Sequence, residues 1–239
     1  MGYGRIRRIG LLVPSSNTTM EAEFYRMSPG DVSVHAARML LEDVTQEKLV
    51  QMAEYAERAA TLLKTAGVDV IVYGCTTGSL VGGVEREELL VRKIEEDTGI
   101  RTLSTGRAVV DAIEALGGGT LAVATPYTDD LNRLERAFLE SFGLKVSSME
   151  GLGLINNLEI GRTDQTTVEE LVRNVSDGED IVFISCTNLP TISLIQKLEE
   201  ELQRPIVTSN QASLWAALRG SSIKGMDGYG ELLRNLHRG

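Results

Sequence analysis

The sequence predicts an α/β protein of two pseudo-symmetric lobes, each a parallel sheet flanked by helices, with a ligand cleft between them. Three observations carry that reading. Short apolar runs rich in β-branched residues alternate with segments of helical spacing, as in parallel strands covered by helices on both faces. The series recurs once in the same order, as related halves do. The polar residues cluster where apolar runs end, the edge at which open α/β sheets bind ligands.

Taken in order, the strand-like runs are "RIGLLV", "VSVHAARM", "VDVIVYG", "IRTLST", "TLAVAT", "LKVSSM", "DIVFIS" and "PIVTS". "QEKLVQMAEYAERAATLLKTAG" reads as one helical segment, started by Thr45 and stopped at Gly67. "VGGVEREELLVRKIEEDTG" is a charged amphipathic helix, and Gly82 and Gly83 at its start are either a hinge or a plain connector. "LGGGTLAV" sets three glycines before a strand, which makes a turn; a nucleotide-binding loop would follow the strand. "TTVEELVRNVSD" is helical again. The tail "RGSSIKGMDGYGELLRNLHRG" ends in a short helix that docks either on the body or on a second copy of the chain.

The internal match rests on three pairs. "IGLLVPSSN" matches "TLAVATPYT", "VDVIVYGCTTGSL" matches "EDIVFISCTNLPT", and "IRTLSTGRAVVDAIEAL" matches "RPIVTSNQASLWAAL". The spacing from Pro14 to Pro126 equals that from Cys75 to Cys186 within one residue, and Ala108 to Ala212 is somewhat shorter.

Bulk properties narrow the function. The 239 residues are 42% hydrophobic and 24% charged, ordinary for a globular chain with a substantial core. Aromatic residues make up only 5%, so Leu, Val, Ile and Ala must fill the interior. A net charge of −10 argues against nucleic acid as a partner. No apolar stretch is long enough to span a membrane, and the basic start runs directly into a strand rather than a signal peptide. Two cysteines and two histidines, His35 and His237, make neither a disulfide framework nor a metal-ligand pattern. The cytoplasm is the expected compartment, and no cofactor motif is present.

Cys75 and Cys186 occupy equivalent places in the repeat, each after a strand and before a threonine. Backbone amides at such a loop are expected to lower a thiol's pKa. Two thiols facing across a cleft suit chemistry at a carbon approached from both faces. Racemisation and cis-trans isomerisation of an unsaturated diacid need such a pair; decarboxylation needs one proton donor and a site for the enediolate. "LLVPSSNTTMEAEF" ends a strand in small polar residues, and is either a helix cap or a carboxylate site, with Ser15, Ser16 and Thr18 each a candidate cap.

"GLLVPSSNTTME", "GCTTGSLVGG", "ATPYTDDLN", "INNLEIGR" and "SCTNLP" resemble the family of maleate cis-trans isomerases and arylmalonate decarboxylases, within the aspartate/glutamate racemase superfamily. The likeness runs from about Arg5 to Arg219. It implies that Cys75 adds to the substrate double bond as nucleophile while Cys186 handles the proton on the opposite side. It further implies that Asn17, Tyr127 and Asn157 hold substrate carboxylates, and that Thr76, Thr77, Thr187 and Asn188 form two anion nests. The expected division is residues 1–98 with 207–239 as one lobe and 99–206 as the other.

"ATPYTDDLNRLERAFLE" resembles the decarboxylases more than the isomerases, yet those carry a glycine where Cys75 stands. Neither cysteine motif has an acidic residue to hold an ammonium; Glu21 and Glu159 stand nearby in sequence and read as solvated. The expected activity is a cofactor-independent maleate-type isomerase acting on a small dicarboxylate. Its alternatives are a decarboxylase or a two-cysteine racemase on the same scaffold, and a carboxylate-binding protein without turnover.

Overall fold

The structure, a computed structural model, describes residues 3, 4 and 6–236; Arg5 and His237 lie outside them. Every predicted strand run forms a strand. β1 (Arg7–Pro14), β2 (Val32–Met39), β3 (Val70–Tyr73) and β4 (Thr102–Ser104) make one sheet in the order β2-β1-β3-β4. β5 (Thr120–Thr125), β6 (Lys145–Gly151), β7 (Ile181–Ile184) and β8 (Ile206–Thr208) make a second in the order β6-β5-β7-β8. All pairs are parallel, with Leu11 opposite Val72 in the first sheet and Val123 opposite Phe183 in the second. The expected fold class is the one observed, and the two orders are the same order repeated. The "VIVY" and "IVFI" strands are buried at every residue, which explains why they read as unbroken apolar runs.

The strands do not follow the division expected from the sequence. Residues 102–104 pair with β3, although they fall in the 99–206 stretch, and residues 207–208 pair with β7. Each half is a complete series, so its fourth strand closes its own sheet. The crossing between halves is helical instead. α6 (Thr105–Ala115) and α11 (Ser209–Leu218) follow those fourth strands, pack on one another and touch both β4 and β8. Every residue of α11 is buried, as a helix enclosed on all sides must be. Its Ser213 Oγ donates to Thr105 Oγ1 at 3.0 Å.

The segment from Gln46 is two helices, α2 (Gln46–Ala53) and α3 (Ala56–Thr65), where the sequence read one. Thr45 caps the first through Lys48 N, and Gly67 stops the second at φ +64°. Between them the amides of Glu54 and Tyr55 reach back to Gln51 and Met52, tightening the turn and re-aiming the chain. α2 then packs toward α4 (Thr76–Leu80), while α3 covers β1, β2 and α5 (Gly83–Thr98). The C-terminal helix α12 (Gly230–Arg234) docks on the body. Glu231 N donates to the Glu199 carboxylate, and Tyr229 accepts from Gln211 Nε2 at its carbonyl.

One buried carboxylate ties the halves together. Glu23, on α1 (Met20–Met27), accepts from Thr191 N at 2.7 Å, Ile192 N at 3.0 Å and Asn210 Nδ2 at 2.7 Å. Burial raises its pKa and these donors pull it back. Removing the carboxylate leaves buried amides without an acceptor, each a cost of about 1–3 kcal/mol. Glu23→Ala should therefore lose about 2–4 kcal/mol in urea unfolding; a loss within experimental error would show that the tie contributes nothing.

Candidate active site

Both cysteines stand at the carboxyl ends of central strands, yet in different geometries. Cys75 follows β3 with extended backbone and caps α4: its Sγ accepts from Gly78 N at 3.3 Å, and Thr77 Oγ1 lies 3.7 Å away. A Cβ at Gly78 would sit 3.1 Å from that sulfur and 3.0 Å from Tyr73 Oη, so a side chain there would crowd the thiol. Cys186 follows Ser185 at the end of β7 with φ +97°, rare for a side chain other than glycine and a strain of about 1–3 kcal/mol. Hydrogen bonds hold it there. Its N donates to Ser209 Oγ at 3.0 Å, and its Sγ accepts from Asn188 N at 3.3 Å. The Tyr127 hydroxyl is near enough to the same sulfur to lower its pKa.

Asn17 answers the question posed by its segment twice over. Its Oδ1 accepts from Thr19 N and Met20 N at the entry to α1, and its Nδ2 donates to Thr187 Oγ1 at 3.0 Å across the cleft. The three hydroxyl candidates do not cap. Ser15 and Ser16 donate to Leu41 O, and the Thr18 amide donates to Asn188 Oδ1. Thr187 Oγ1 donates in turn to Gly74 O at 3.2 Å. Thr76 Oγ1 donates to Ser209 Oγ at 2.9 Å, so one hydroxyl on α11 joins both cysteine loops. Asn157, at the start of α8 (Asn157–Gly161), donates to Ser16 Oγ and accepts from Asn188 Nδ2.

All nine residues singled out in the sequence line one cavity: Asn17, Cys75, Thr76, Thr77, Tyr127, Asn157, Cys186, Thr187 and Asn188. Pro14, Leu41 and Val44 complete it with an apolar wall. Its free volume is about 10 Å³, room for a single water. A strap closes it. Val44 N donates to Ile155 O at 2.8 Å and Asn157 N to Glu42 O at 3.2 Å, zipping residues 42–44 against 155–157. A four-carbon diacid needs more room than this, and these two segments stand at the cavity's edge. Glu21 pairs with Arg38 outside and Glu159 is exposed, so neither faces the cavity. No cluster of metal-ligating side chains occurs among the described residues, and no helix there is long and apolar enough to cross a membrane.

The expectation of lowered thiol pKa values is corrected by the structure. Burial raises Cys75, with the Gly78 amide and Thr77 hydroxyl only partly offsetting it. Burial likewise pushes Cys186 up to about 12, against hydrogen bonds from Tyr127 and the Asn188 amide. Loss of water outweighs two or three donors when no cation is near. The signal for Ser209 was present in the repeat, since it stands where Thr105 stands in the other half. Leu41 and Val44 carried none: an apolar residue in a loop looks the same whether it lines a cavity or a core.

The sequence model of the arylmalonate decarboxylase family matches residues 9–233 of this chain. A maleate isomerase of Geobacillus stearothermophilus is 30% identical over 232 residues, 91% of this chain and 92% of that protein. The crystal structure of the maleate isomerase Iso from Pseudomonas putida S16, a cysteine-to-alanine variant with maleate, superposes with a TM-score of 0.92 at 26% identity, covering 96% of this chain and 98% of that one. A Nocardia farcinica maleate cis-trans isomerase, in a cysteine-to-serine mutant with a covalently bound succinylcysteine intermediate, gives 0.89 at 28% identity, covering 96% and 98%.

With both pKa values raised, both thiols are protonated at rest near neutral pH. Alkylation by iodoacetamide should accelerate about tenfold per pH unit between about pH 7 and 9, with Cys186 lagging Cys75. Peptide mass spectrometry reads the two sites separately. A rate already on its plateau below about pH 7 at either site would mean a resting thiolate there.

Proposed function

The chain belongs to the arylmalonate decarboxylase family, and on that premise we propose that it is a cis-trans isomerase converting maleate, or a close unsaturated dicarboxylate, to its trans form. The observation that carries the reading is the pair of thiols reaching one closed cavity from opposite lobes, among amides and hydroxyls suited to two carboxylates. The isomerase relatives support the same class of enzyme.

Cys75 gives its proton to a carboxylate of the incoming dianion, which returns it when the thiolate leaves, and its sulfur adds to C2 of the double bond. The bond's electron pair moves to C3 and into the adjoining carboxylate, whose developing charge faces hydrogen-bond donors. Cys186 delivers a proton to C3, which completes a succinyl adduct on Cys75. C2–C3 is now a single bond and turns. Cys186 takes a proton back from C3, the electron pair re-forms the double bond in the trans geometry, and Cys75 leaves. Asn17 Nδ2 and Asn157 Nδ2, already donors in the cavity wall, would hold one carboxylate. Thr76 and Thr77 open α4 with first-turn amides that lack intrahelical acceptors and suit the other. The apolar wall and closed strap keep water from the adduct.

Proton NMR of the enzyme with maleate should show fumarate accumulating, with the rate reduced at least about 100-fold in Cys75→Ala. Cys186→Ser should retain a succinyl adduct on Cys75, visible by intact and peptide mass. Unchanged maleate beside release of CO2 from an arylmalonate would overturn the isomerase in favour of the decarboxylase for which the matching family is named, with Cys186 as its proton donor.

A further inference from the structure

One buried titratable group lies next to this chemistry without touching the cavity. Glu135 sits on the inner face of α7 (Asp129–Ser141), where it is 1% exposed. Ser185 Oγ bonds its Oε1 at 2.6 Å, and Oε2, equally buried, has no hydrogen-bond partner among the described residues. No cation pairs with it: burial and the Ser185 hydroxyl account for its titration, at about 7. A structural carboxylate in such a place would be expected to have several donors, as Glu23 does.

Tyr127 lines the cavity beside Cys186, and both the Ser185 hydroxyl and the Cys186 sulfur are near enough to its hydroxyl to shift its titration. Groups with exchangeable protons therefore stand in series from a buried carboxyl, through two hydroxyls, to the sulfur that faces the cavity. Ser185 replaces Gly74 of the other half, and the Cys75 sulfur has no comparable line, only Gly78 N and Thr77. The relay belongs to one half alone.

We infer that Glu135 is the proton reservoir of Cys186, exchanging a proton with its sulfur through the hydroxyls of Ser185 and Tyr127. As the thiol gives its proton to carbon, Tyr127 gives its own to the sulfur, Ser185 gives its own to Tyr127, and the Glu135 carboxyl gives its own to Ser185. Each hydroxyl loses one proton and gains one. The S–H bond is restored, and the negative charge ends on the carboxylate. Withdrawal of a proton from carbon runs the same line in reverse. The sulfur is thus spared a full charge in a dry cavity, where a thiol held at about 12 is a poor acid.

The groups facing Glu135 are few. Tyr127 is the titratable neighbour, with Cys186 and then Cys75 beyond it. On its own helix Asp130 pairs with Arg133, and Arg136 with Glu140, on the outer side. From β6, Lys145 and Glu150 are exposed, and α4 contributes no ionisable side chain.

The exchange is a property of the resting site; only its use in turnover rests on the isomerase reading. Infrared difference spectroscopy tests the first part without substrate. A protonated carboxyl band should titrate near pH 7 and be absent in Glu135→Gln. Cys186→Ala should move its midpoint in the wild-type background and leave it unmoved in Tyr127→Phe. A midpoint in the ordinary glutamate range, or one indifferent to Cys186, overturns the inference whatever the substrate. In turnover, Glu135→Gln and Ser185→Ala should each lower kcat about 100-fold with KM unchanged, and abolish a fall in kcat as pH rises through about 7. The double variant should be no slower than either single one, and additive losses overturn the relay. If maleate is not turned over while the infrared coupling holds, the isomerase reading fails and the reservoir stands.

Discussion

The cleft between the sheets is dry, and it is lined by groups that cannot be left dry alone. Asn17, Thr76, Thr187, Asn188 and Ser209 are each at most 2% exposed, and an unpaired amide or hydroxyl in such a place costs about 1–3 kcal/mol. Each finds a partner across the seam: Asn17 on Thr187, Thr187 on Gly74, Thr76 on Ser209, Asn188 on Thr18. This requirement sets the approach of the two lobes. It also positions the loops that carry the sulfurs.

The same dryness governs the chemistry. Without water or a nearby cation both thiols remain protonated at rest, so nucleophilicity has to arise when substrate arrives. A dianionic substrate meeting first-turn amides and side-chain donors is stabilised by groups already oriented, with little reorganisation. The strap of residues 42–44 against 155–157 narrows the way in, which suits exclusion of water from the reaction.

Pseudo-symmetry supplies the frame and is broken where function needs it. Both cysteines follow central strands, but Cys75 caps a helix while Cys186 sits at positive φ beside Tyr127. Gly74 precedes one and Ser185 the other. The halves thus present one sulfur held by a helix-opening amide and another joined to buried hydroxyls and Glu135.

Much of this was legible in the chain alone. Unbroken apolar runs such as "VIVY" and "IVFI" are determined by burial on both faces, and the repeat puts Cys75 and Cys186 at their ends on the shared edge; the other seven cavity residues were named through the family resemblance. Backbone periodicity and local caps are near-neighbour effects, written in consecutive residues. Tertiary structure decided the rest. Which sheet received residues 102–104 and 206–208, where the helix after Thr45 turned, and that burial would raise both thiols depended on distant segments. Glu135 shows the difference most plainly. In "LNRLERAFLE" it is one more glutamate on a charged helix; only the packing of α7 against the end of β7 removes its water and sets it beside Ser185.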